Sequence, residues 1–151
     1  MASPFPFTSG QVLTAAQLNS LAEEVSFTPS WTNLTVGNAT EAWKYWQINN
    51  IVVVSGRTVL GSTSSVGTSP TMDVPVGTIA NRGQVFGVTN YFESGGSIYY
   101  GAVKANSSTV VLFRRISVSG SDVVDSPVTN SAPFSWADGD RIITQFVYTV
   151  E

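Results

Sequence analysis

The acidic residues are the chain's main candidates for catalysis or metal binding, because the chain contains no histidine and no cysteine. A chain without these residues cannot build a Ser/His/Asp triad, a Cys/His pair or the usual zinc sites. Two carboxylates about 5 to 9.5 Å apart could still cleave a glycosidic bond. The candidates are Glu41, Asp73, Glu93, Asp122, Asp125, Asp138 and Asp140. Most of these stand in turn-like stretches, so we interpret them as solvated turn residues and expect no catalytic residues and no enzyme.

The Asp-Gly-Asp stretch at residues 138–140 is the strongest candidate for a cation site. Calcium prefers closely spaced carboxylate oxygens, and Asp122 and Asp125 could add further ligands. The twelve-residue ligand pattern of an EF-hand is absent, however, and Asp-Gly is a common turn pair. We therefore predict a turn here, with no metal and no cofactor.

Aromatic residues around one glycine-rich turn indicate a different kind of site. Two of them precede the turn at 93–97 and two follow it. Aromatic rings beside polar loops can stack on sugar rings, but the same rings can equally fill a core or a seam between subunits. The residues that would form a glycan-recognition surface are Tyr91, Phe92, Glu93, Tyr99 and Tyr100.

The composition limits the kinds of partner that the protein could bind. The chain has 151 residues, a net charge of −3, and only 11% charged residues. Only Arg114 and Arg115 stand together among the basic residues, so we expect no nucleic-acid binding, which needs clustered positive charge. The N-terminus has no secretory signal pattern, and no apolar run approaches the ~20 residues that span a bilayer, so we expect no membrane segment.

The elements that would position these residues are mostly strands. Residues 41–60 are predicted to form a β-hairpin that turns at Asn49 and Asn50. Further strands are predicted at 72–76, at 83–92, 97–105 and 109–118 as a meander, and at 138–150, whereas 61–71 and 119–134 are predicted as loops. Short strands separated by polar turns predict an all-β fold, an antiparallel β-sandwich or jelly roll.

Several predicted strands are apolar on both faces. In the last strand, Ile142, Phe146, Tyr148 and Val150 share one face, and Ile143 and Val147 share the other. A sheet with one solvated face would carry polar residues on that side. This pattern predicts that an outer face is buried between subunits.

An N-terminal segment, residues 1–25, precedes the β domain of residues 26–151. Thr14 and Gln17 have capping-box spacing, and the apolar residues that follow have helical spacing, which predicts an extended arm and then one short α-helix. A helix of about three turns is marginal alone, so it should dock on its own β domain, on other copies or on another protein. Phe5 and Phe7, which stand beside prolines, favour an external partner.

The chain also resembles structural proteins of bacteriophages. The match covers "FTPSWTNLTVGNATEAWKYWQINNIVVVSGRTVLGSTSSV", the closing "FSWADGDRIITQFVYTVE" and the opening "FTSGQVLTAAQLNSL". Phe27 replaces a common tyrosine and Ala39 a common glycine, so the turn at 37–40 can differ in type. The resemblance implies a virion protein that assembles in the host cytoplasm and is exposed on the particle exterior.

This resemblance also implies partners. It implies a homotrimer, a fibre or spike whose N-terminal segment docks on a capsid, portal-proximal or tail protein while the β domain adheres to a host surface glycan. A capsid decoration or minor tail protein with a purely structural role is the alternative. The residues expected to anchor the chain in the virion are Phe5, Phe7, Leu13, Leu18, Leu21 and Val25.

Overall fold

A computed structural model describes residues 12, 14, 15, 23–80 and 85–151. Most of the predicted helix lies outside these residues, as do the predicted anchoring residues Phe5, Phe7, Leu13, Leu18 and Leu21. The sixth anchoring residue, Val25, is described, and its role in anchoring stays a prediction, but the predicted helix does not extend to it. It begins a strand and pairs with Tyr45 rather than ending a helix.

Antiparallel strands form nearly all of the regular structure within the described ranges. They are β1 (Val25–Phe27), β2 (Trp31–Thr35), β3 (Thr40–Ile48), β4 (Ile51–Val59), β5 (Ser65–Asp73), β6 (Val85–Phe92), β7 (Ile98–Ala105), β8 (Val110–Ser119), β9 (Asp122–Pro127) and β10 (Arg141–Thr149). The predicted all-β, sandwich-like fold is confirmed.

The strands form a single curled sheet. Its order is β1-β3-β4-β10-β6-β7-β8-β5-β2, and β9 pairs with β8 away from this path. Trp31 in β2 packs on Trp43 in β3 and on Phe113 in β8, with ring centroids 5.7 and 5.1 Å apart. The two ends of the sheet therefore approach each other and enclose the core.

Alternation along the strands decides which side chains enter this core. In β10, Ile142, Phe146 and Tyr148 are buried, and in the neighbouring β4 so are Val52 and Val54. Burying several such side chains on each strand is the main stabilisation of the sheet, at roughly 1.5–3 kcal/mol per large apolar side chain. The predicted final strand is confirmed, and it lies in the middle of the sheet between β4 and β6.

Two predicted supersecondary units are also confirmed. Strands β3 and β4 form a hairpin whose two-residue turn places Asn49 at φ 55°, a conformation that asparagine tolerates better than most residues. Strands β6, β7 and β8 form the predicted meander.

The prediction of a loop at 61–71 is wrong, because β5 occupies most of it. Val66, Pro70 and Met72 face the core at alternate positions, while the polar residues that suggested a loop lie between them. Pro70 is accommodated because Ser69 has φ 54° and the pairing with β2 is irregular at this point. The predicted strand at 72–76 is therefore only the end of β5, which stops at Asp73.

The prediction of a long loop at 119–134 is also wrong, since β9 forms a hairpin with β8. Five of the six residues of β9 are exposed, so it lacks the buried, alternating apolar residues by which a strand is recognised.

Candidate functional site

The acidic residues proposed as a carboxylate pair have separate structural contacts. Glu41 accepts hydrogen bonds from Trp31 Nε1 at 2.7 Å and from Thr58 Oγ1 at 3.2 Å. It thereby ties β2 to β3 and β4 where the ends of the sheet approach each other. Asp125 instead forms ion pairs with Lys104 and Arg114. The hydrogen bond from Lys104 and the nearby Arg114 charge lower the pKa of the Asp125 carboxyl.

The Asp-Gly-Asp stretch is a turn, as predicted, with Gly139 at φ 86°. The buried Asp140 accepts the amide of Ser94 at 2.7 Å and the amide of Ala137 at 2.6 Å. One carboxylate thus connects this turn to the β6–β7 turn, while the side chain of Asp138 is exposed. In the described part of the chain, no three acidic side chains lie close enough together to hold a metal ion.

The predicted glycan-recognition residues divide between the two faces of the sheet. Tyr91 is fully buried, and its hydroxyl donates to the carbonyl oxygen of Arg114 at 3.0 Å. Burial raises the pKa of Tyr91 well above its ordinary value. Tyr99 is half-buried and packs on Phe134, with ring centroids 5.1 Å apart. Tyr91 is therefore removed from the predicted surface, because no ligand could reach it without opening the core.

The remaining residues of that prediction stay near solvent. Tyr100 points away from the core and is 64% exposed, while Phe92 and Glu93 are partly exposed. The alternation of β7 explains the division, since neighbouring residues on a strand point to opposite faces. Phe92, Glu93 and Tyr100 remain available as recognition residues, and Tyr99 is only partly exposed because it packs on Phe134.

Many exposed apolar residues lie on the side of the sheet opposite the core, which we call the outer face. It is formed by β3, β4, β10, β6, β7 and β8, which are consecutive in the sheet. Its exposed large hydrophobic residues are Ile48, Ile51, Val53, Val88, Ile98, Tyr100, Ile116, Val118 and Val147. Strand register places Ile48 beside Ile51 and Val53 beside Val147, so these four form apolar rows rather than isolated apolar residues.

One such row crosses the centre of the sheet. Val53 pairs with both Trp46 and Val147, so these three residues are direct neighbours on three strands. Val88 lies one strand further along and is 64% exposed. Scattered exposed apolar residues need no explanation, but a contiguous patch of several hundred Å² on a monomer usually marks an interaction site.

Two arginines border these rows on the outer face. Arg57 pairs with Ile143, and Arg141 pairs with Val59, so the arginines are diagonal neighbours on β4 and β10, with Cα atoms roughly 7–8 Å apart. Both are exposed, and within the described ranges neither guanidinium has an ion-pair partner. They leave positive charge beside an apolar surface.

A second feature, which we call the β8–β9 arm, comprises residues 116–125. Every residue from Val118 to Asp125 is exposed. Val118 and Val123 pair directly across the hairpin and are 75% and 73% exposed. Sequence reasoning missed this arm, although two adjacent β-branched valines after a Ser-Gly-Ser turn could have indicated it.

Among the residues that carry the phage resemblance, Asn38 contacts the Gly-Ser-Thr stretch at 61–63. Its Oδ1 accepts the amide of Thr63 at 2.9 Å and the hydroxyl of Thr63 at 2.8 Å. Gly37 has φ 55°, and a Cβ on Gly61 would lie 2.3 Å from Asn38 Oδ1. These glycines are therefore required by close packing between the β2–β3 turn and the loop before β5.

The chain matches no protein-family model, no curated protein sequence and no solved structure. No helix in the described ranges has the length and apolar character needed to cross a bilayer.

Proposed function

We propose that this protein is a structural component of a bacteriophage particle. It is a short trimeric fibre or spike that is held by its N-terminal segment and presents the β domain to the host surface. The observation that carries the proposal is the outer face, where rows of exposed apolar residues continue over consecutive strands. An isolated domain would expose this surface to water, whereas subunits of an assembly would cover it.

The low charge content supports the same proposal. Only 11% of residues are charged, which is a low share for a soluble domain and is compatible with surfaces that an assembly covers. The phage resemblance supplies the kind of assembly. Phe92, Glu93 and Tyr100 lie beside the β6–β7 turn at one end of the outer face, and contact with a host glycan requires that the assembly leave this end uncovered.

A purely structural role, as a decoration or minor tail protein, is the second candidate. The burial of Tyr91 and the packing of Tyr99 on Phe134 favour it, because they leave only part of the predicted recognition surface accessible. Adsorption of the purified protein to host cells separates the two roles. Adhesion predicts binding that Tyr100→Ala weakens and that Asp73→Ala, at an exposed position of β5, leaves unchanged. Absence of adsorption by folded protein would leave the structural role.

Purified virions of the phage that encodes this chain test whether the protein is part of the particle. We expect the protein in their mass spectrum and gold-labelled antibodies against the β domain on their exterior. Its absence from highly purified particles would refute the proposal.

Anchoring is tested with a variant that lacks residues 1–22. This deletion leaves Val25 in β1 and retains Glu24, which forms an ion pair with Lys44. We expect a folded β domain that no longer enters particles, and Gly95→Ala, in an open turn, serves as the control that enters normally. Normal incorporation of the shortened chain would refute anchoring by this segment.

A further inference from the structure

The outer face changes character along its strands. Toward the β3–β4 turn it carries apolar rows, in which Ile48, Ile51 and Val53 are exposed. Toward the β6–β7 turn it carries arginines and aromatic residues as well, on β4, β10, β6 and β7. Arg57 lies four residues beyond Val53 on β4, which is roughly 13 Å along the strand. Subunits can therefore cover the apolar rows while this second end, which we call the arginine end, stays in water.

Strand register brings together the five residues that make up the arginine end. Arg141 pairs with Phe92, and Asn90 pairs with Tyr100, so these four residues occupy neighbouring positions on three strands. Arg57 is the diagonal neighbour of Arg141 on β4. All five alternate with core-facing residues of their own strands, so their side chains leave the same face of the sheet. The group crosses four strands, which is roughly 14–15 Å from Arg57 to Tyr100.

The arginine end is positively charged and has no compensating carboxylate. Its two arginines are exposed, and neither forms an ion pair within the described part of the chain. Their other neighbours on this face are Ala42, Ser55, Val59 and Ile143, none of which is acidic. Like charges on neighbouring strands repel each other, and an anion bound between them would remove the repulsion.

The chemistry of arginine limits which anions fit. Its planar guanidinium can donate two parallel hydrogen bonds to one carboxylate or phosphate group. Two guanidinium groups on neighbouring strands could bind one such group together, or two successive groups along a polymer. The arginines therefore indicate an acidic ligand, and the side chains beside them narrow its class.

These other side chains fit a sugar. Tyr100 exposes an aromatic ring on which the apolar face of a sugar ring can stack, and the partly exposed Phe92 lies beside it. Asn90 lies between the arginines and Tyr100, and its side-chain amide can both donate and accept hydrogen bonds, as sugar hydroxyls require. The width of the arginine end suits several linked sugar units rather than a single one.

Two other kinds of acidic partner fit this end less well. An extended peptide commonly binds by adding a strand to a free sheet edge, but β4, β10 and β6 are each paired on both sides. Nucleic acid requires several clustered cations for its phosphates, and the arginine end supplies two. The combination of two arginines, an amide and an exposed tyrosine favours a glycan.

We propose that the arginine end binds an acidic glycan, with Arg57 and Arg141 on its carboxylate or phosphate groups and Tyr100 against a sugar ring. This inference rests on the proposed function, since it names the class of host glycan that the β domain contacts. It adds Arg57, Arg141 and Asn90 to the recognition residues expected from the sequence.

Binding of the full-length protein to immobilised polymers of defined charge tests the class of ligand. Polygalacturonate supplies carboxylates, a phosphomannan supplies phosphates, and fully methyl-esterified polygalacturonate is the neutral control. We expect at least one acidic polysaccharide to bind about tenfold or more tightly than the neutral control, and the one that binds identifies the anionic group. Tighter binding of poly-glutamate or single-stranded DNA would overturn the proposal in favour of a protein or nucleic-acid partner. Binding of neither acidic polysaccharide, or equal binding of the neutral control, would also overturn it.

Removal of single charges tests whether the arginines carry this binding. Arg57→Gln and Arg141→Gln should each raise the dissociation constant for the acidic polysaccharide about tenfold and leave binding of the neutral control unchanged. Arg115→Gln is the matched control, because it removes the same charge at a position that alternates with the outer face. Urea unfolding verifies that each variant is folded. Unchanged affinity in both arginine-end variants, or an equal loss in Arg115→Gln, would refute the site.

Nuclear magnetic resonance locates the ligand on the surface. Short oligosaccharides of the bound polymer should shift the side-chain signals of Asn90, Arg57 and Arg141, and leave the amide signal of Asn49 in the β3–β4 turn unchanged. Shifts confined to other surfaces would contradict the proposal. These experiments use purified protein and defined polymers, so their failure is distinguishable from absence of the chain from virions and from loss of adsorption to host cells.

Discussion

Replacing Asp140 by alanine should destabilise the fold more than any other single change in the acidic turn. Its carboxylate accepts two backbone amides, from Ser94 at 2.7 Å and from Ala137 at 2.6 Å, and its side chain is buried. A hydrogen bond to a charged group contributes about 1.5–3 kcal/mol, and an amide left without a partner adds a cost. Both amides belong to exposed residues and can regain water, so we expect a loss of about 2–4 kcal/mol rather than the full sum.

The assay is thermal and urea unfolding followed by tryptophan fluorescence. For a domain of this size, 1 kcal/mol corresponds to roughly 2–4 °C, so Asp140→Ala should lower the midpoint by about 5–15 °C. Asp138→Ala is the matched control in the same turn, and its exposed side chain predicts a change within about 0.5 kcal/mol. Hydrogen exchange at the amides of Ser94 and Ala137 should accelerate in Asp140→Ala only.

Three results would refute this reasoning. One is a loss below about 1 kcal/mol, the second is an equal loss in Asp138→Ala, and the third is unchanged exchange at both amides. Asp140→Asn refines the test because it keeps one acceptor oxygen, so it should lie between the wild type and Asp140→Ala.

Three further predictions concern stability. Gly56→Ala should lower the free energy of unfolding in urea by about 2–3 kcal/mol, because a Cβ there would lie 2.1 Å from ring carbons of the buried Trp43. Gly95→Ala is the control and should lower it far less, because open space surrounds Gly95. Equal losses in the two variants would contradict the packing argument. Burial raises the pKa values of Tyr91 and Tyr148, so the folded state keeps protons that the unfolded state releases above pH ~10. The free energy of unfolding should therefore fall above this pH by up to about 1.4 kcal/mol per pH unit for each tyrosine. If urea unfolding shows no loss of stability at alkaline pH, this reasoning is refuted. The pKa of Asp125 is lowered in the folded state, so this residue stabilises the fold above pH ~3.9 and the stabilisation is lost as the pH falls through its folded pKa. Asp125→Asn should therefore make the free energy of unfolding depend less steeply on pH in the acid range. An unchanged pH dependence in this range would contradict the role of Lys104.

The sequence was sufficient where local patterns determine the structure. Asn49 and Asn50, which stand between two apolar, alternating segments, predicted the β3–β4 hairpin. The apolar residues at alternate positions of β10 predicted which of its side chains would share one face. It failed at β5 and β9, where polar or exposed strands lack that pattern and depend on pairing with β2 and β8.

The candidate surfaces were predicted only in part. Alternation puts Tyr99 and Tyr100 on opposite faces of a strand, but it could not decide which face meets the core, since that depends on pairing with distant strands. Likewise, two-sided apolar strands indicated an outer face in need of a partner. The adjacency of Arg57 and Arg141, by contrast, follows from the register of β4 with β10, which are more than eighty residues apart in the chain.

The position of β10 has a consequence for how the protein folds during synthesis. β10 joins β1, β3 and β4 on one side to β6, β7 and β8 on the other, although it is translated after the other nine described strands. Until it emerges from the ribosome, the inner edges of β4 and β6 have no partner. Sheets completed by such distant pairings fold slowly, and their open edges are prone to aggregation. Chaperone dependence and yield in expression should therefore respond most strongly to changes in these last residues.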